Sequence, residues 1–418
     1  MAVNTASPPD IDLTDLNRFV DGFPYEVFAR LRREAPVWWH PPTGHTPGGE
    51  GFWVVSRYRD VLAAAADTAA FSSDGTAVRD GGGTLLEDLP PGLAPGTLLN
   101  MTDPPRHAKF RRLFQGSVAP RALAAIAGDL ADRAAEIVGA AVERGECDFL
   151  VDVAAELPLQ AVAQLLGVPQ EDRHRLMGWA NATLDYADRD LGQMSEISER
   201  AAAEMYAYGS ELLERKRADP GDDLLSVAAT ATIDGEPLTP MEQQMVFSLL
   251  IAAGSETTRN AVAGGMLALA ERPGTWRELA RDRALLGPAI EEILRWTSPT
   301  PYNRRTATAA TEISGTAVRA GEKVTLWWAS ANRDPAVFTD PDSFDVRRSP
   351  NQHLAFGRGP HFCLGAGLAR MEMRVVFEAL LDRVGEFAVT GPVERVRSNK
   401  HTGIRHLPMR LEPRRART

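Results

Sequence analysis

Cysteine is almost absent from this chain of 418 residues, which carries only Cys147 and Cys363. Two thiols exclude a disulfide framework and a four-thiolate zinc site. Long apolar runs are missing too. The longest strongly apolar stretch, Met245 to Gly254, contains Ser248 and reads as a buried core helix, not a membrane span. Positive charge is not in excess: 46 Lys and Arg face 56 Asp and Glu, a net charge of −10. That balance argues against a dedicated nucleic-acid binder. The start, Met1 to Asp10, is polar and lacks the basic and apolar segments of a secretory leader. A cytoplasmic protein is therefore expected. The Arg-rich end from Pro413 reads as a solvated tail.

Apolar content is ordinary, at 44% hydrophobic residues, so a large core is available. No repeat and no inter-domain linker stands out. Helical spacing dominates, with short strand signals between, and residues 1–418 are expected to form one mainly α domain with small β-sheets. Leu123, Ile126, Leu130, Ile137 and Val138 keep helical spacing from Pro120 to Arg144, and Gly145 is a plausible stop. Phe52 to Val55, Thr311 to Val318, Glu322 to Trp328 and Ile404 to Leu411 read as strands. Gly81 to Gly96 is long for a structureless connection, and its Gly81-Gly82-Gly83 run suggests a mobile cover.

One helix is well marked. Thr239 caps it, Pro240 suits its first position, and Glu242 completes a capping box. The apolar pattern runs to Arg272, and Pro273 ends it. Its middle breaks local rules, because Gly254, Thr257 and Thr258 are poor helix formers. Leu249, Ala252, Ala253, Glu256 and Thr257 share one face. An acid, a hydroxyl and small residues there leave room for something bulky. The alternative is a packed helix whose Thr hydroxyls bond back to the preceding turn.

The sharpest motif is Phe356-Gly357-Arg358-Gly359-Pro360-His361-Phe362-Cys363-Leu364-Gly365, followed by helical spacing from about Ala366 to Arg383. Glycines before the Cys permit a tight loop, and Gly365 lets the next helix lie close to a flat ligand. Cys363 at that helix's N-terminus has a dipole and free amides to stabilise a thiolate, a suitable axial ligand for haem iron. A buried structural Cys, a zinc site including His361, and a Cys-His nucleophile pair are the competing readings.

The chain resembles the bacterial cytochromes P450, haem-thiolate monooxygenases. The Cys loop matches the family pattern Phe-x-x-Gly-x-(Arg/His)-x-Cys-x-Gly. Gly254-Ser255-Glu256-Thr257-Thr258 resembles the oxygen-activation segment, and Glu292-Ile293-Leu294-Arg295 the Glu-x-x-Arg pair. Asn332-Arg333-Asp334-Pro335 and Phe344 to Arg348 resemble the stretch before the Cys loop. The resemblance implies a P450 fold with haem b between the central helix and the Cys-loop helix. It implies Cys363 as axial ligand, and His107, Arg111, Arg305 and His361 on the haem propionates. Glu292, Arg295 and Arg348 become a supporting network. Glu256 and Thr257 become an acid–alcohol pair for proton delivery, with Glu a mild departure from the commoner Asp. Leu249, Ala252 and Ala253 become substrate walls, together with residues near Thr76 to Leu99, Pro299 to Asn303 and Thr402 to Ile404.

The implied reaction is O₂-dependent monooxygenation of a hydrophobic small molecule. Electrons come from a separate ferredoxin or flavodoxin with its NAD(P)H reductase, since no flavin or iron–sulfur motif is present. Lys109, Arg112, Arg358, Arg370 and Arg374 are expected to form its docking patch. Natural-product tailoring in secondary metabolism, including carrier-protein-bound substrates, is the favoured expectation. Sterols, terpenoids or branched lipids are the alternative, and a non-catalytic haem sensor a third reading. His40, His45, His174, His353, His401 and His406 receive no role.

Overall fold

The computed structural model describes residues 11–184 and 188–414. The polar start and the last four residues lie outside that range. Arg414 is described, and it does not behave as a solvated tail, because its N–H donates to Arg383 O at 2.7 Å.

The central helix runs Pro240–Ala270, 31 residues, or about 46 Å at 1.5 Å rise per residue. Its capping box is complete: Glu242 N–H donates to Thr239 Oγ1 at 3.2 Å, and Thr239 N–H donates to Glu242 Oε2 at 2.9 Å. It stops two residues before the expected Arg272. Pro273 opens the next helix, Pro273–Arg281, so the chain must turn before it.

This helix joins two apolar cores. Val246, Phe247 and Ile251 pack with the helices Glu156–Leu166, Arg173–Leu184 and Glu196–Ala218. Ala261 to Leu269 pack with Pro120–Arg144, Leu286–Thr297 and Ala366–Arg383. The stretch from Ala252 to Thr257 belongs to neither core, and Ala253 is exposed in the middle of a helix whose neighbouring residues are buried or half-buried. Packing explains the poor helix former Gly254. A Cβ there would lie 2.4 Å from a Val162 methyl, so the glycine allows Glu156–Leu166 to cross closely.

Strands β1 (Val37–His40), β2 (Phe52–Val55), β3 (Phe71–Ser72), β4 (Tyr302–Ala307) and β5 (Lys323–Trp327) form a sheet ordered β1-β2-β5-β4-β3. Only β2 and β5 run parallel in it, and β5 is buried throughout, as parallel pairing favours. Adjacent side chains on β4 point to opposite faces. Arg304 therefore turns to the Gly81–Gly96 segment and Arg305 the other way.

Three expectations are corrected. Thr311 to Val318 is not one strand but a hairpin, Thr311–Ile313 with Thr316–Val318, because Ser314 and Gly315 take left-handed φ of 48° and 83°. Ile404 to Leu411 divides at Leu407, where the chain switches sheets and Phe149 N–H donates to Leu407 O at 2.8 Å. The Gly81-Gly82-Gly83 run is buried and pinned, not a mobile cover. Gly82 and Leu89 exchange backbone bonds of 3.0 Å, and a Cβ on Gly82 would meet Asp74 O at 1.9 Å. Asp88 accepts from Arg79 at 2.6 Å and forms ion pairs with Arg304 (2.8 Å) and Lys323 (3.0 Å), which fixes the segment to the sheet.

Candidate active site

The Cys loop is built from left-handed glycines. Gly357 and Gly359 have φ of 68° and 75°, and a Cβ on Gly359 would approach Ala65 O to 2.8 Å. Cys363 N–H closes the loop onto Phe356 O at 2.9 Å, and the helix Ala366–Arg383 starts three residues later. The Cys363 side chain is accessible, yet surrounding protein pushes its thiol pKa up. A side chain both open and desolvated lines a concave space inside the protein. Burial leads, and it outweighs the opposing Gly365 amide, Arg111 and Arg370. The Gly365 amide at the helix terminus favours the thiolate, as the sequence expectation has it, but does not offset burial. Coordination to a metal cation deprotonates such a thiol.

Four basic groups gather beside Cys363. His107 and Arg111 lie one turn apart on the helix Arg106–Gln115. The His107 and His361 ring centroids are 4.1 Å apart. His361 Nε2 sits 3.2 Å from Ser73 Oγ, and Arg305 Nη1 donates to Arg304 O at 2.8 Å. The charges are unbalanced. Burial, then Arg305, His107 and Arg111, push the His361 imidazole down to about 2. Burial likewise lowers Arg305 to about 10, opposed only by Asp103. Buried Arg305 Nε and His361 Nδ1 have no hydrogen-bond partner. Unmade bonds and uncompensated positive charge are costly unless an anionic group completes them. Open space beside the Gly365 Cα adds room next to the thiol. A thiol flanked by donors for carboxylates fits haem, whose iron and two propionates need both.

The Glu292 region is closed by contrast. Arg295 donates to both Glu292 oxygens at 2.7 and 2.8 Å, and both side chains are fully buried. Arg348 Nε reaches Glu292 Oε2 at 3.1 Å, and Asp345 N–H reaches Oε1 at 2.8 Å. Arg295 also donates to Asn332 O, Pro341 O and Ser343 O at 2.8, 2.8 and 3.0 Å. Asn332 accepts from Leu354 N–H at 2.7 Å, just before the Cys loop.

On the central helix, Thr257 Oγ1 donates back to Ala253 O at 2.9 Å, so the back-bonding alternative describes its proton. The side chain still borders open space, as do Leu249, Ala252 and Ala253. Glu256 is buried, with Arg259 at 4.0 Å and His401 at 3.4 Å. His401 has no motif around it in the sequence, and only folding brings it to Glu256. Burial pushes the carboxyl of Glu372, on the Cys-loop helix, up to about 8, with Thr258 opposing.

The expected docking patch is largely neutralised. Lys109 pairs with Asp234 (2.6 Å), Arg370 with Glu291 (2.7 Å) and Arg374 with Glu378 (3.7 Å). Arg112 and Arg358 remain exposed without an acidic partner among the described residues.

The fold and this site define a thiolate-ligated haem protein. The cytochrome P450 family model matches residues 158–403, and the chain belongs to that family, which uses haem b with a cysteine thiolate axial ligand. The chain is similar to a putative cytochrome P450 126 of Mycobacterium tuberculosis, with 49% identity covering 96% of this chain and 97% of the relative. A steroid C26-monooxygenase of Rhodococcus jostii is 37% identical over 95% of this chain and 84% of its own length. A methyl-branched lipid omega-hydroxylase of M. tuberculosis is 37% identical over 97% of each. The structure of a Mycobacterium marinum cytochrome P450 in complex with pseudoionone superposes with a TM-score of 0.87 at 33% identity, covering 98% of this chain and all of that one. The chain is a cytochrome P450 monooxygenase. No helix among the described residues is long and apolar enough to cross a membrane.

Proposed function

We propose that the protein hydroxylates a free, branched or polycyclic aliphatic lipid, with electrons from a separate ferredoxin or flavodoxin. The observation that carries this reading is the small-residue stretch around Ala252 and Ala253, open between the two cores. The steroid and methyl-branched-lipid activities in the names of two relatives support the substrate class. The carrier-bound substrate expected from the sequence gains no support from those relatives.

Haem b, when bound, supplies reductive activation of O₂ and insertion of one oxygen atom into substrate. Cys363 would supply the thiolate that holds its iron. His107, Arg111, Arg305 and His361 would hold the propionates, which would satisfy the bare Arg305 Nε and His361 Nδ1. Leu249, Ala252 and Ala253 exclude water and orient substrate. The Thr257 hydroxyl hands a proton to the reacting oxygen, and Glu256 replaces it. Glu292, Arg295 and Arg348 hold the chain that leads into the Cys loop. Residues 1–418 act as one unit.

The test is a titration of the ferric protein with cholest-4-en-3-one and phytanic acid, read as the low-spin to high-spin Soret shift. A saturable shift followed by a hydroxylated product supports the proposal. No shift with either lipid, against a shift with aminoacyl groups on a carrier protein, overturns it. Cys363→Ser is expected to abolish the red-shifted Soret band of the reduced carbon monoxide complex, and retention of that band would overturn the ligand assignment.

A further inference from the structure

Glu256 presents a problem that its own helix does not solve. Its side chain is 5% exposed, and its Oε2 atom has no hydrogen-bond partner. Arg259, one turn along, lies 4.0 Å from the other oxygen and donates to Asn181 at 2.8 Å. His401 faces the bare oxygen: its Nδ1 lies 3.4 Å from Glu256 Oε2, and its side chain is 12% exposed. A buried carboxylate oxygen is costly without a donor, and a small rotation of either side chain makes this contact a hydrogen bond.

The segment that carries His401 is anchored from other directions. Ser398 Oγ accepts from the N–H groups of Lys400 and His401 at 3.0 and 3.2 Å. Lys400 Nζ turns away to Tyr302 O at 2.8 Å. Thr402 Oγ1 donates to Thr297 O and Ser298 O at 3.0 and 2.8 Å. Gly403 lies against the Asn260 side chain, where a Cβ would come within 3.0 Å of it. These bonds fix the segment and bring the His401 ring up to Glu256. Histidine is the side chain whose ordinary titration lies between pH 5 and 8.

We propose that His401 is a positioning residue for Glu256, donating from Nδ1 to Oε2 and returning to the carboxylate each proton it passes toward Thr257. In that step the Nδ1–H bond breaks and an Oε2–H bond forms. The ring, imidazolium before the transfer and neutral imidazole after it, regains its proton from a hydronium ion or buffer acid of the solvent. Arg259 also faces Glu256 and stays charged throughout. The inference rests on Glu256 being the acid that supplies Thr257.

Two measurements test it on the holoenzyme, with the carbon monoxide Soret band as the check that each variant is intact. The first is a histidine-labelled NMR titration of the reduced carbon monoxide form, with the His401 signal assigned by its loss in His401→Gln. Glu256→Gln is expected to lower the His401 pKa by about one unit, as removal of a nearby opposite charge does. An unchanged His401 titration overturns the proposal. The second is NADPH-driven O₂ consumption without added substrate, using a ferredoxin and its reductase. Reduction of O₂ to hydrogen peroxide takes up two protons. The rate should fall as pH rises through the His401 titration, and His401→Gln should remove that limb. If Glu256→Gln alters rate and pH profile while His401→Gln matches the wild type, the His401 role fails and the Glu256 reading stands. If Glu256→Gln itself matches the wild type in both, the reading of Glu256 fails first.

Discussion

Two buried clusters of charge lie on either side of the Cys loop, and they are opposites. At Glu292, two guanidiniums share one carboxylate, and backbone carbonyls take up further Arg donors. At His361, four basic groups crowd together with Asp103 as the opposing charge, and two buried donor atoms are left bare. The first arrangement is complete in the polypeptide alone. The second is left open by the polypeptide, and in the proposed function an anionic ligand completes it. Similar residue types therefore serve a structural lock in one place and a binding site in the other. What separates them is whether the protein satisfies its own donors.

Breaking the complete cluster should have the largest effect. Glu292→Ala leaves Arg295 and Arg348 buried without their carboxylate, and a loss of about 3–5 kcal/mol is expected. Urea unfolding of the haem-free protein measures it, and a loss under about 1 kcal/mol would contradict the closed-network description. Arg305→Ala should do the reverse. It relieves repulsion, so haem-free stability should hold or rise. Haem retention should fall by roughly tenfold to a hundredfold, from the loss of a charge-assisted bond. Haem transfer to an apo-globin acceptor reads that change. Equal loss in both assays would erase the distinction between the clusters.

Smaller effects are expected with pH. The folded Glu372 carboxyl titrates near 8, against an ordinary 4.5. The folded state holds a proton that the unfolded chain has released, so stability falls as pH rises between those values. Glu372→Gln should flatten that slope, and parallel melting curves for variant and wild type would sink the assignment. His361 is the converse case, with a folded value of about 2 against 6.5. Here the unfolded chain binds the proton first, so haem-free stability falls as pH drops below 6.5. Haem propionates oppose that shift, and the haem-loaded protein should show the shallower acid slope.

Much of this was legible before folding. The helix ends at Thr239 and Gly145 follow from a cap and a stop that act over a few residues. The Cys loop and the Glu-x-x-Arg pair are likewise local. The hairpin at Ser314-Gly315 was missed because two left-handed residues inside a β-branched run leave only a weak turn signal. The loop glycines were misread because flexibility and close approach use the same residue. Only the distance to Asp74 O distinguishes them.

The sequence by itself determined the ligand loop, the long central helix and the kinds of side chain around the site, because spacing and capping depend on neighbours in the chain. Tertiary structure alone decided which charges are paired, since Asp234, Glu291 and Glu378 cancel most of a patch that reads as basic in one dimension. It also placed His401 against Glu256, 145 positions apart in the numbering and 3.4 Å apart in space. Burial and pairing are properties of surfaces brought together, and no local pattern of residues carries them.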